Sequence, residues 1–325
     1  MMKALKFNRT GSLEELKNVT VADPTLQPGE VLVRVHAAAI NPSDVKNVLG
    51  KFSKTTLPRI PGRDFAGVVI SDSKWKGKSV FGTGGTLGLT KDGTHAELVA
   101  VPESALVEMP KNLTFAQATA MGLVYLTAWQ SIVTVGKLKP QETVLITGAT
   151  GSVGSSAIKI ASNLGAKIIG TLTSSKLPPP KDIADKAEWI SLDQVKLPEA
   201  VMKLTQGKGV DLIVDAVGGP LFEPCLESLA HKGRQVAISC VGDPRVSFNL
   251  VEYYRKEAHL IGVDTLKLSF EESAAILKLL IPSIEKGIFD PPEIDEVAFG
   301  DSLKAYEEIN TGKAKHKKVI VFPGV

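Results

Sequence analysis

The spacing of hydrophobic residues changes near residue 123. Before that point, short runs rich in β-branched residues, such as residues 31–35 and 65–70, are separated by Pro and Gly, as in strands joined by turns. After it, apolar strands alternate with helical stretches, which is the pattern of βαβ units in a parallel sheet. The chain is therefore predicted to be mostly β at first and α/β afterwards.

Individual elements follow from the same pattern. Residues 155–164 and 271–286 have the apolar spacing of helices, and Gly165 ends the first of them. The apolar run 318–322 predicts a final strand. The strands predicted for the parallel sheet are residues 143–146, 167–170, 212–214, 235–238 and 260–263.

Composition restricts the class of protein. The chain has 325 residues, of which 43% are hydrophobic and 22% charged. These are the proportions of a globular protein with roughly two domains. A net charge of +3, spread along the chain, argues against nucleic acid or an anionic membrane as a partner. The basic run at residues 313–318 is expected to be a solvated turn.

Targeting and redox signals are few. The amino terminus lacks a long apolar signal segment, and no uninterrupted apolar stretch reaches the length of about 18 residues that spans a membrane. Cys225 and Cys240 are the two cysteines of the chain. They are too few for a disulfide framework and are compatible with a reducing compartment. We therefore expect a cytoplasmic protein.

A glycine-rich segment follows the predicted strand 143–146 and opens the helix that starts near Ser155. Glycine lets the backbone approach a pyrophosphate, which the free N–H groups and the helix dipole attract. Ala149 stands where the first glycine of a Gly-x-Gly-x-x-Gly motif normally lies, so the motif is a variant. The segment predicts that a dinucleotide binds to Ala149, Thr150, Gly151, Ser152, Val153 and Gly154.

The phosphate state of the cofactor is predicted from the strand that follows. An NAD enzyme places an acidic side chain on the ribose diol about 20 residues after the turn. No Asp or Glu occurs between Gly154 and Asp182, and the hydroxyls and ammonium found there suit the 2′-phosphate of NADPH. The residues predicted to contact this phosphate are Thr171, Thr173, Ser174, Ser175 and Lys176.

Several separated motifs share their order and spacing with a known family. They are residues 41–44 (NPSD), 61–68 (PGRDFAGV), 80–82 (VFG), 93–97 (GTHAE), 126–129 (LTAW), the glycine turn and 215–219 (DAVGG). With them the chain resembles the quinone oxidoreductase branch of the medium-chain dehydrogenase/reductase superfamily over essentially its whole length. The resemblance implies an α/β protein with a GroES-like, mostly β catalytic domain at 1–122, rejoined by 265–325. A Rossmann domain with a doubly wound parallel sheet is implied at 123–264.

The resemblance also indicates a branch without zinc. Zinc-dependent relatives bind the metal through a cysteine near the start of this signature and through a Gly-His-Glu element. Asn41 stands in the place of the cysteine, and Arg63 and Asp64 stand where His and Glu would lie. Thiolate and imidazole ligands are thus missing, and no metal site is predicted. His36 and His95 are the remaining candidate ligands, but lone histidines are more often structural.

Members of this branch reduce quinones or the C=C bond of α,β-unsaturated carbonyls with hydride from NADPH. Charge then develops on the carbonyl oxygen and has to be met by hydrogen-bond donors. Lys46 is the candidate catalytic donor, because alkenal and enone reductases and fungal trans-acting enoyl reductases have a lysine at this place. The alternative is a solvated surface lysine. Asn41 is a second candidate donor, and its alternative is a cap of the following turn.

Further site residues come from family position alone. Thr127 is expected beside the nicotinamide. Residues that follow the strands of such a sheet line the crevice at the carboxyl ends. Those expected to contact the cofactor are Val217, Gly218, Ser239 and Cys240. Phe52 stands where other quinone oxidoreductases often carry a tyrosine, which weakens an assignment to quinones alone.

Two further functions stay open. Among enzymes, the main alternative is a trans-acting enoyl-thioester reductase that serves a carrier protein. A non-catalytic NADPH-binding sensor or structural protein belongs to another class, since a fold and a cofactor site do not by themselves establish turnover. The predicted function is NADPH-dependent reduction of a small molecule, namely a quinone, enone or enal. The family implies a homodimer, and neither nucleic acid nor membrane is expected as a partner.

Overall fold

A computed structural model gives the fold of residues 1–322. The chain forms two compact units, the first from Met1–Leu123 together with the chain from Thr265 onward, and the second from Val124–Asp264. The domain limits predicted from sequence are 122/123 and 264/265. Residues 323–325, at the end of the predicted return to the first domain, lie outside the described residues.

Strands and α-helices follow one another in this order over the described residues. The strands are β1 (Met2–Lys6), β2 (Lys17–Val21), β3 (Glu30–Ala39), β4 (Phe65–Val69), β5 (Ser79–Gly82), β6 (Leu98–Pro102), β7 (Val107–Glu108), β8 (Thr143–Ile146), β9 (Lys167–Leu172), β10 (Glu188–Ser191), β11 (Val210–Asp215), β12 (Leu229–Ala237), β13 (His259–Gly262), β14 (Ile294–Ala298) and β15 (Lys317–Val321). The α-helices are α1 (Pro42–Val48), α2 (Phe115–Trp129), α3 (Ser152–Asn163), α4 (Leu197–Leu204), α5 (Phe222–Ser228), α6 (Leu250–Arg255), α7 (Phe270–Glu285) and α8 (Ser302–Asn310). Among the helices of residues 1–322, none combines the length and the apolarity needed to cross a membrane.

The first unit is built on a mostly antiparallel sheet. Its strand order is β14-β15-β3-β4-β5-β7, and β6 also pairs with β3. The long strand β3 alternates buried and half-buried positions along most of its length, because successive side chains point to opposite faces of a sheet. Near the end of the described chain, β15 pairs antiparallel with β3 and places Val319 opposite Ala39. Phe65, Leu106 and Tyr306 are large, fully buried members of the core. The predicted GroES-like, mostly β class is confirmed.

The second unit is a doubly wound α/β domain, as predicted. Its six strands run parallel in the order β10-β9-β8-β11-β12-β13. Numbered from the first strand of the unit, this is the Rossmann order, whose direction reverses between β8 and β11. The carboxyl ends of these two strands therefore flank the place where such sheets bind ligands.

The elements predicted for the second unit are present, with shifted ends. The helix predicted at 155–164 begins earlier, at Ser152, because the glycine turn itself enters the helical conformation. The strand predicted at 260–263 is β13 and lies at the edge of the sheet. Strand β10 escaped prediction because its sequence, EWIS, gives too few alternations to stand out.

The basic run at residues 313–318 departs from the predicted solvated turn. Lys313 and Lys315 are exposed, but Lys317 is only 7% exposed and begins β15. The prediction is wrong for Lys317 because the run was judged as one block of like charge. The alternation of the strand instead turns this side chain inward.

Candidate functional site

The glycine turn joins β8 to α3. Gly151 is the N-cap of α3 and, having no side chain, offers no capping acceptor to the first helical N–H groups. The first turn of the helix, Ser152-Val153-Gly154-Ser155, is uncharged, so the positive end of the dipole faces an anion unopposed. A Cβ on Gly154 would lie 2.3 Å from the Gly148 carbonyl oxygen, so only glycine lets the helix pack this close. The turn therefore fits a pyrophosphate.

Asp215 fixes this turn to its neighbour. Its Oδ1 accepts hydrogen bonds from the Thr147 hydroxyl and from the Gly218 N–H, both at 2.8 Å. Thr147 immediately precedes Gly148, and its Oγ1 accepts from the Ala216 N–H at 3.0 Å. Asp215 is fully buried at the carboxyl end of β11, so it joins the ends of both central strands. In the sequence it is only part of a motif, although a carboxylate that ends an apolar strand is a signal that would find it.

Two loops predicted to contact the cofactor are adjacent in the structure. The Val241 N–H donates to the Val217 carbonyl oxygen at 2.8 Å. Gly218 has a φ of +64°, and a Cβ there would lie 2.5 Å from the Ser239 carbonyl oxygen. The structure therefore brings together Val217, Gly218, Ser239 and Cys240. Their contact with a cofactor stays a prediction.

The loop after β9 carries the residues predicted to hold the 2′-phosphate, and it contains a carboxylate as well. Thr171 is buried within the strand, whereas Thr173 and Lys176 are exposed. Asp193 follows β10 and accepts from the Ser175 N–H at 3.0 Å. Its other oxygen accepts from the Ser174 and Ser175 hydroxyls, both at 3.1 Å. The hydroxyls predicted to bind phosphate therefore already bind an acidic side chain.

Asp193 corrects the prediction of a ribose site without carboxylates. Desolvation acts to raise the pKa of Asp193, but the hydrogen bonds from Ser175 and Ser174 outweigh it and hold this pKa below its usual range. Asp193 is therefore an anion at neutral pH. The prediction failed because distance along the chain was its guide, whereas the parallel pairing of β10 with β9 brings the ends of the two strands together.

A second polar site lies in the first unit at the start of α1. Asn41 is the N-cap of α1 and forms a capping box with Asp44. Its Nδ2 also donates to the Asp64 carboxylate at 2.7 Å, and its Oδ1 accepts from the Lys317 ammonium. All four side chains are buried. Asn41, Asp44, Asp64 and Lys317 are called the Lys317 cluster below.

Opposite charges compensate one another inside the Lys317 cluster. Burial raises the pKa of Asp64, and the charge of Lys317 acts against that rise. Burial likewise lowers the pKa of Lys317, against the attraction of Asp64 and Asp44. Both oxygens of Asp64 accept from N–H donors, Oδ1 from the Leu123 backbone at 2.8 Å and Oδ2 from Asn41. Because a protonated carboxyl would turn an O–H toward one of these donors, the geometry fits the anion.

The structure corrects the role predicted for Asn41. Its side-chain amide is directed to Asp64 and Asp44, at 2.7 and 3.3 Å, so it is engaged inside the protein and does not serve as a donor to substrate. The alternative, a cap of the following turn, describes it. Lys46 lies on α1 with its side chain exposed, and its role as a donor stays a prediction. Thr127 lies in the last part of α2, where the Ser131 hydroxyl donates to its carbonyl oxygen at 2.8 Å.

His95 and His36 have partners in the first unit. His95 Nε2 lies 3.2 Å from the Ala39 carbonyl oxygen, and its Nδ1 lies 2.8 Å from the Tyr306 hydroxyl. Because a carbonyl only accepts, Nε2 carries the hydrogen and Nδ1 accepts from Tyr306. Burial lowers the pKa of His95 to about 4, so the ring is neutral with both nitrogens engaged. His36 stacks on Phe115 with ring centroids 4.4 Å apart.

Two protein-family models match the chain. The family described as alcohol dehydrogenase GroES-like domain matches residues 27–111, and the family described as zinc-binding dehydrogenase matches residues 152–281. Within residues 1–322, no group of three or more His, Cys, Asp or Glu side chains has the arrangement of a metal site. The second description therefore identifies a fold family, and it does not identify metal ligands in this chain.

Relatives match nearly the whole chain. A zinc-type alcohol dehydrogenase-like protein of Schizosaccharomyces pombe is 39% identical over 296 residues, which are 88% of this chain and 86% of the relative. The quinone oxidoreductase of Mus musculus is 29% identical over 334 residues, 99% of this chain and 98% of the relative. The chain belongs to the quinone oxidoreductase branch of the medium-chain dehydrogenase/reductase superfamily. It is therefore an oxidoreductase that uses a nicotinamide cofactor.

Solved structures agree with this family. A quinone oxidoreductase of Pseudomonas syringae pv. Tomato DC3000 has a TM-score of 0.88 at 26% identity and covers 99% of this chain and 100% of its own. An alcohol dehydrogenase superfamily protein of Novosphingobium aromaticivorans has a TM-score of 0.87 at 28% identity, with 99% and 100% covered. The fold of this medium-chain oxidoreductase is thus that of its superfamily.

His95 makes the stability of this medium-chain oxidoreductase depend on pH. In the folded protein its pKa is about 4, whereas the ordinary value of 6.5 applies to the unfolded chain. Between these two pH values the unfolded state binds the extra proton, so stability is complete above about 6.5 and is lost as the pH falls toward 4. The loss from this group amounts to about 3 kcal/mol at pH 4. We expect His95→Gln to remove this part of the slope, measured as the free energy of unfolding in urea between pH 7 and pH 4.

His231→Gln is the matched control, because the His231 side chain is 60% exposed. Contributions of Asp44 and Asp64 to the pH dependence are common to all three proteins and cancel in the comparison. A His95→Gln protein whose stability falls with pH as steeply as that of the His231→Gln protein would contradict the prediction.

Proposed function

We propose that this protein is an NADPH-dependent, zinc-independent reductase of quinones or of the C=C bond of α,β-unsaturated carbonyls. The observation that carries the proposal is the Lys317 cluster: two of its members, Asn41 and Asp64, stand at the positions of zinc ligands in zinc-dependent relatives, and the cluster holds an ammonium. Relatives named quinone oxidoreductase, such as that of Homo sapiens at 28% identity over 99% of this chain, support the substrate class.

The chemistry of the Lys317 cluster supports independence from zinc. Zinc prefers thiolate, imidazole and carboxylate ligands, and a catalytic site needs three of them with an open position. Here the cysteine position is an amide whose oxygen already accepts from the Lys317 ammonium. A dication placed there would meet that ammonium at close range and would compete with it for Asp64. We therefore propose no Lewis-acid step.

The proposed roles of the other residues follow from hydride chemistry. A reduced nicotinamide supplies the hydride when it is bound. The N–H groups at the start of α3 would hold the pyrophosphate, and Asp215 keeps the turn in place for it. Reduction leaves negative charge on the substrate oxygen, and Lys46 is proposed as the donor that stabilises this charge. Thr127 is proposed beside the nicotinamide.

An enoyl-thioester reductase is the second candidate. A hybrid PKS-NRPS synthetase of Aspergillus niger is 30% identical over 332 residues, which are 98% of this chain and 8% of that protein. An enoyl thioester accepts hydride at the same β carbon, and its carbonyl oxygen takes up the charge in the same way. The two candidates therefore differ in the substrate that is bound and share the residues proposed for the chemistry.

A homodimer is also proposed, formed through the edge of the sheet in the second unit. β13 is the last strand in the sheet order, and the backbone of an edge strand can pair with another chain. Exposed apolar side chains occur in this part of the sequence, with Leu250, Tyr254 and Leu260 at 63%, 57% and 37% exposure. A second copy of the same edge would cover such residues.

We expect Leu260→Lys to convert the dimer to a monomer, because a charge on an edge strand opposes pairing. Sedimentation velocity at micromolar concentration measures the change. Leu279→Lys is the matched control, since Leu279 is 61% exposed on α7 in the other unit. A wild-type protein that sediments as a monomer, or a Leu260→Lys protein that stays dimeric, would contradict the proposal.

The proposed NADPH specificity depends on two opposite charges near the end of β9. Lys176 is exposed and would attract the 2′-phosphate, whereas Asp193 would repel it. We expect Lys176→Ala to weaken NADPH binding about tenfold and NADH binding less than about twofold. Asp193→Asn is expected to strengthen NADPH binding. Fluorescence titration of the purified protein with each cofactor measures both effects.

Lys167→Ala, at the opposite end of β9, is the control for a general loss of positive charge. Equal weakening of both cofactors by Lys176→Ala would contradict the proposal. So would a wild-type preference for NADH that Asp193→Asn abolishes, because Asp193 would then be the acid that binds the ribose diol.

A turnover panel tests the function itself. We expect NADPH oxidation, followed by its absorbance near 340 nm, with enals, enones or quinones. In the same assay Lys46→Met is expected to lower kcat about 100-fold, because the developing charge loses its donor, while the Kd of NADPH is unchanged.

Lys54→Met is the matched control, since Lys54 is an exposed lysine in the loop after α1. Silence toward all of these substrates and toward enoyl thioesters, in a protein that binds NADPH, would overturn the proposal and leave the non-catalytic alternative. A clear preference for thioesters would select the second candidate. Unchanged kcat in Lys46→Met would return Lys46 to the role of a surface lysine.

A further inference from the structure

Asp64 contacts α2 at a point inside the helix. Its Oδ1 accepts from the Leu123 N–H at 2.8 Å, and Leu123 lies near the middle of α2. A Cβ on Gly122 would come within 2.6 Å of the same oxygen, so the carboxylate reaches the helix only because residue 122 is glycine. A carboxylate that enters the hydrogen bonding of a helix from another segment fixes the helix locally and sets its course.

The same side of α2 is held one turn earlier. The Ala39 N–H donates to the Thr119 hydroxyl at 3.1 Å, and both residues are buried. Positions 119, 123 and 127 are four residues apart and share one side of a helix. Thr127 therefore lies one turn beyond Leu123, on the side that Ala39 and Asp64 hold.

We propose that Lys317, Asn41 and Asp64 are positioning residues for Thr127. Lys317 keeps the Asp64 carboxylate ionised, Asn41 bridges the two groups, and Asp64 fixes the turn of α2 that precedes Thr127. The three residues act through the helix and do not touch the substrate. The role of Thr127 rests on the proposed function, whereas the effect on α2 holds for any substrate.

The ammonium of Lys317 acts on Asp64 in two ways. Its charge offsets the cost of a carboxylate in the interior, which would otherwise take up a proton and turn a donor toward Leu123 or Asn41. Its hydrogen bond also fixes Asn41 Oδ1, and because the amide is planar this directs Nδ2 toward Asp64. Loss of Lys317 therefore changes both the charge and the direction of the bridge.

Lys317→Met tests this chain of contacts, since methionine keeps most of the length and removes the charge. In the cofactor-free protein, we expect amide hydrogens in residues 119–127 to exchange about tenfold faster, measured by mass spectrometry. With a reactive substrate, kcat is expected to fall about 10- to 100-fold, because Thr127 is displaced. The Kd of NADPH should stay within about twofold, because Asp215 holds the glycine turn independently.

Lys318→Met is the matched control on the same strand. Lys318 pairs with Asp295 at 2.9 Å and with Glu308 at 2.6 Å, so its replacement also removes ion pairs but leaves Asp64 untouched. It is expected to change neither the exchange of residues 119–127 nor kcat.

Gly122→Ala tests the contact without removing any charge, and it decides the matter if Lys317→Met does not fold. The added Cβ pushes the Asp64 carboxylate away from Leu123, and we expect the same faster exchange and lower kcat. Gly300→Ala is its control, because a Cβ there would meet no atom within 4 Å.

Exchange of residues 119–127 that matches the control in a folded Lys317→Met or Gly122→Ala protein would overturn the proposal, even if kcat fell. Faster exchange with the expected fall in kcat would support it. Faster exchange in a protein that reduces no substrate would support the effect on α2 and overturn only the proposed function.

Discussion

The burial of the Lys317 ammonium is the constraint on which the first unit depends. Pairing of β15 with β3 brings Lys317 beside Asn41, which follows the end of β3. A buried cation has to meet carboxylates, and these come from two other segments, Asp44 on α1 and Asp64 before β4. Loss of any one of these segments would leave a charge uncompensated in the interior, which is strongly destabilising. The return of the chain to the first unit therefore completes a charge balance and does more than add a strand.

The second unit uses a buried carboxylate differently. Asp215 meets no cation among its printed hydrogen-bond partners within residues 1–322; it accepts instead from the Thr147 hydroxyl, from two backbone N–H groups and from the Gln235 amide. Hydrogen bonds to an ionised acceptor are roughly twice as strong as neutral ones. The turn after β11 and the residue before the glycine turn are thereby fixed before any cofactor arrives. Such preorganisation lowers the entropy that binding has to overcome.

How much could be predicted depends on how far apart the interacting residues lie. The strand, glycine turn and helix at residues 143–163 are contiguous, so local patterns suffice for them. Asp193 could not be found in this way, because β pairing brings it to Ser175. Lys317 lies 276 residues from Asn41, and nothing in the local sequence separates a buried lysine from its exposed neighbours. Asn41 has an amide that suits a substrate or a carboxylate equally well, so only its surroundings decide between them.

An ammonium in place of a metal changes what the first unit can do chemically. A catalytic zinc keeps an open position that accepts a substrate oxygen. Lys317 is 7% exposed and donates to Asn41, so it offers nothing comparable. Charge that develops on a substrate has to be met by an exposed donor, and Lys46 on α1 is the one proposed. The capping box at Asn41 and the hydrogen bond from Asn47 Nδ2 to the Gly88 carbonyl oxygen, at 2.6 Å, fix this helix near both ends. Under the proposed chemistry, the buried lysine thus fixes the scaffold and the exposed lysine meets the substrate, two tasks that one metal ion performs in zinc-dependent relatives.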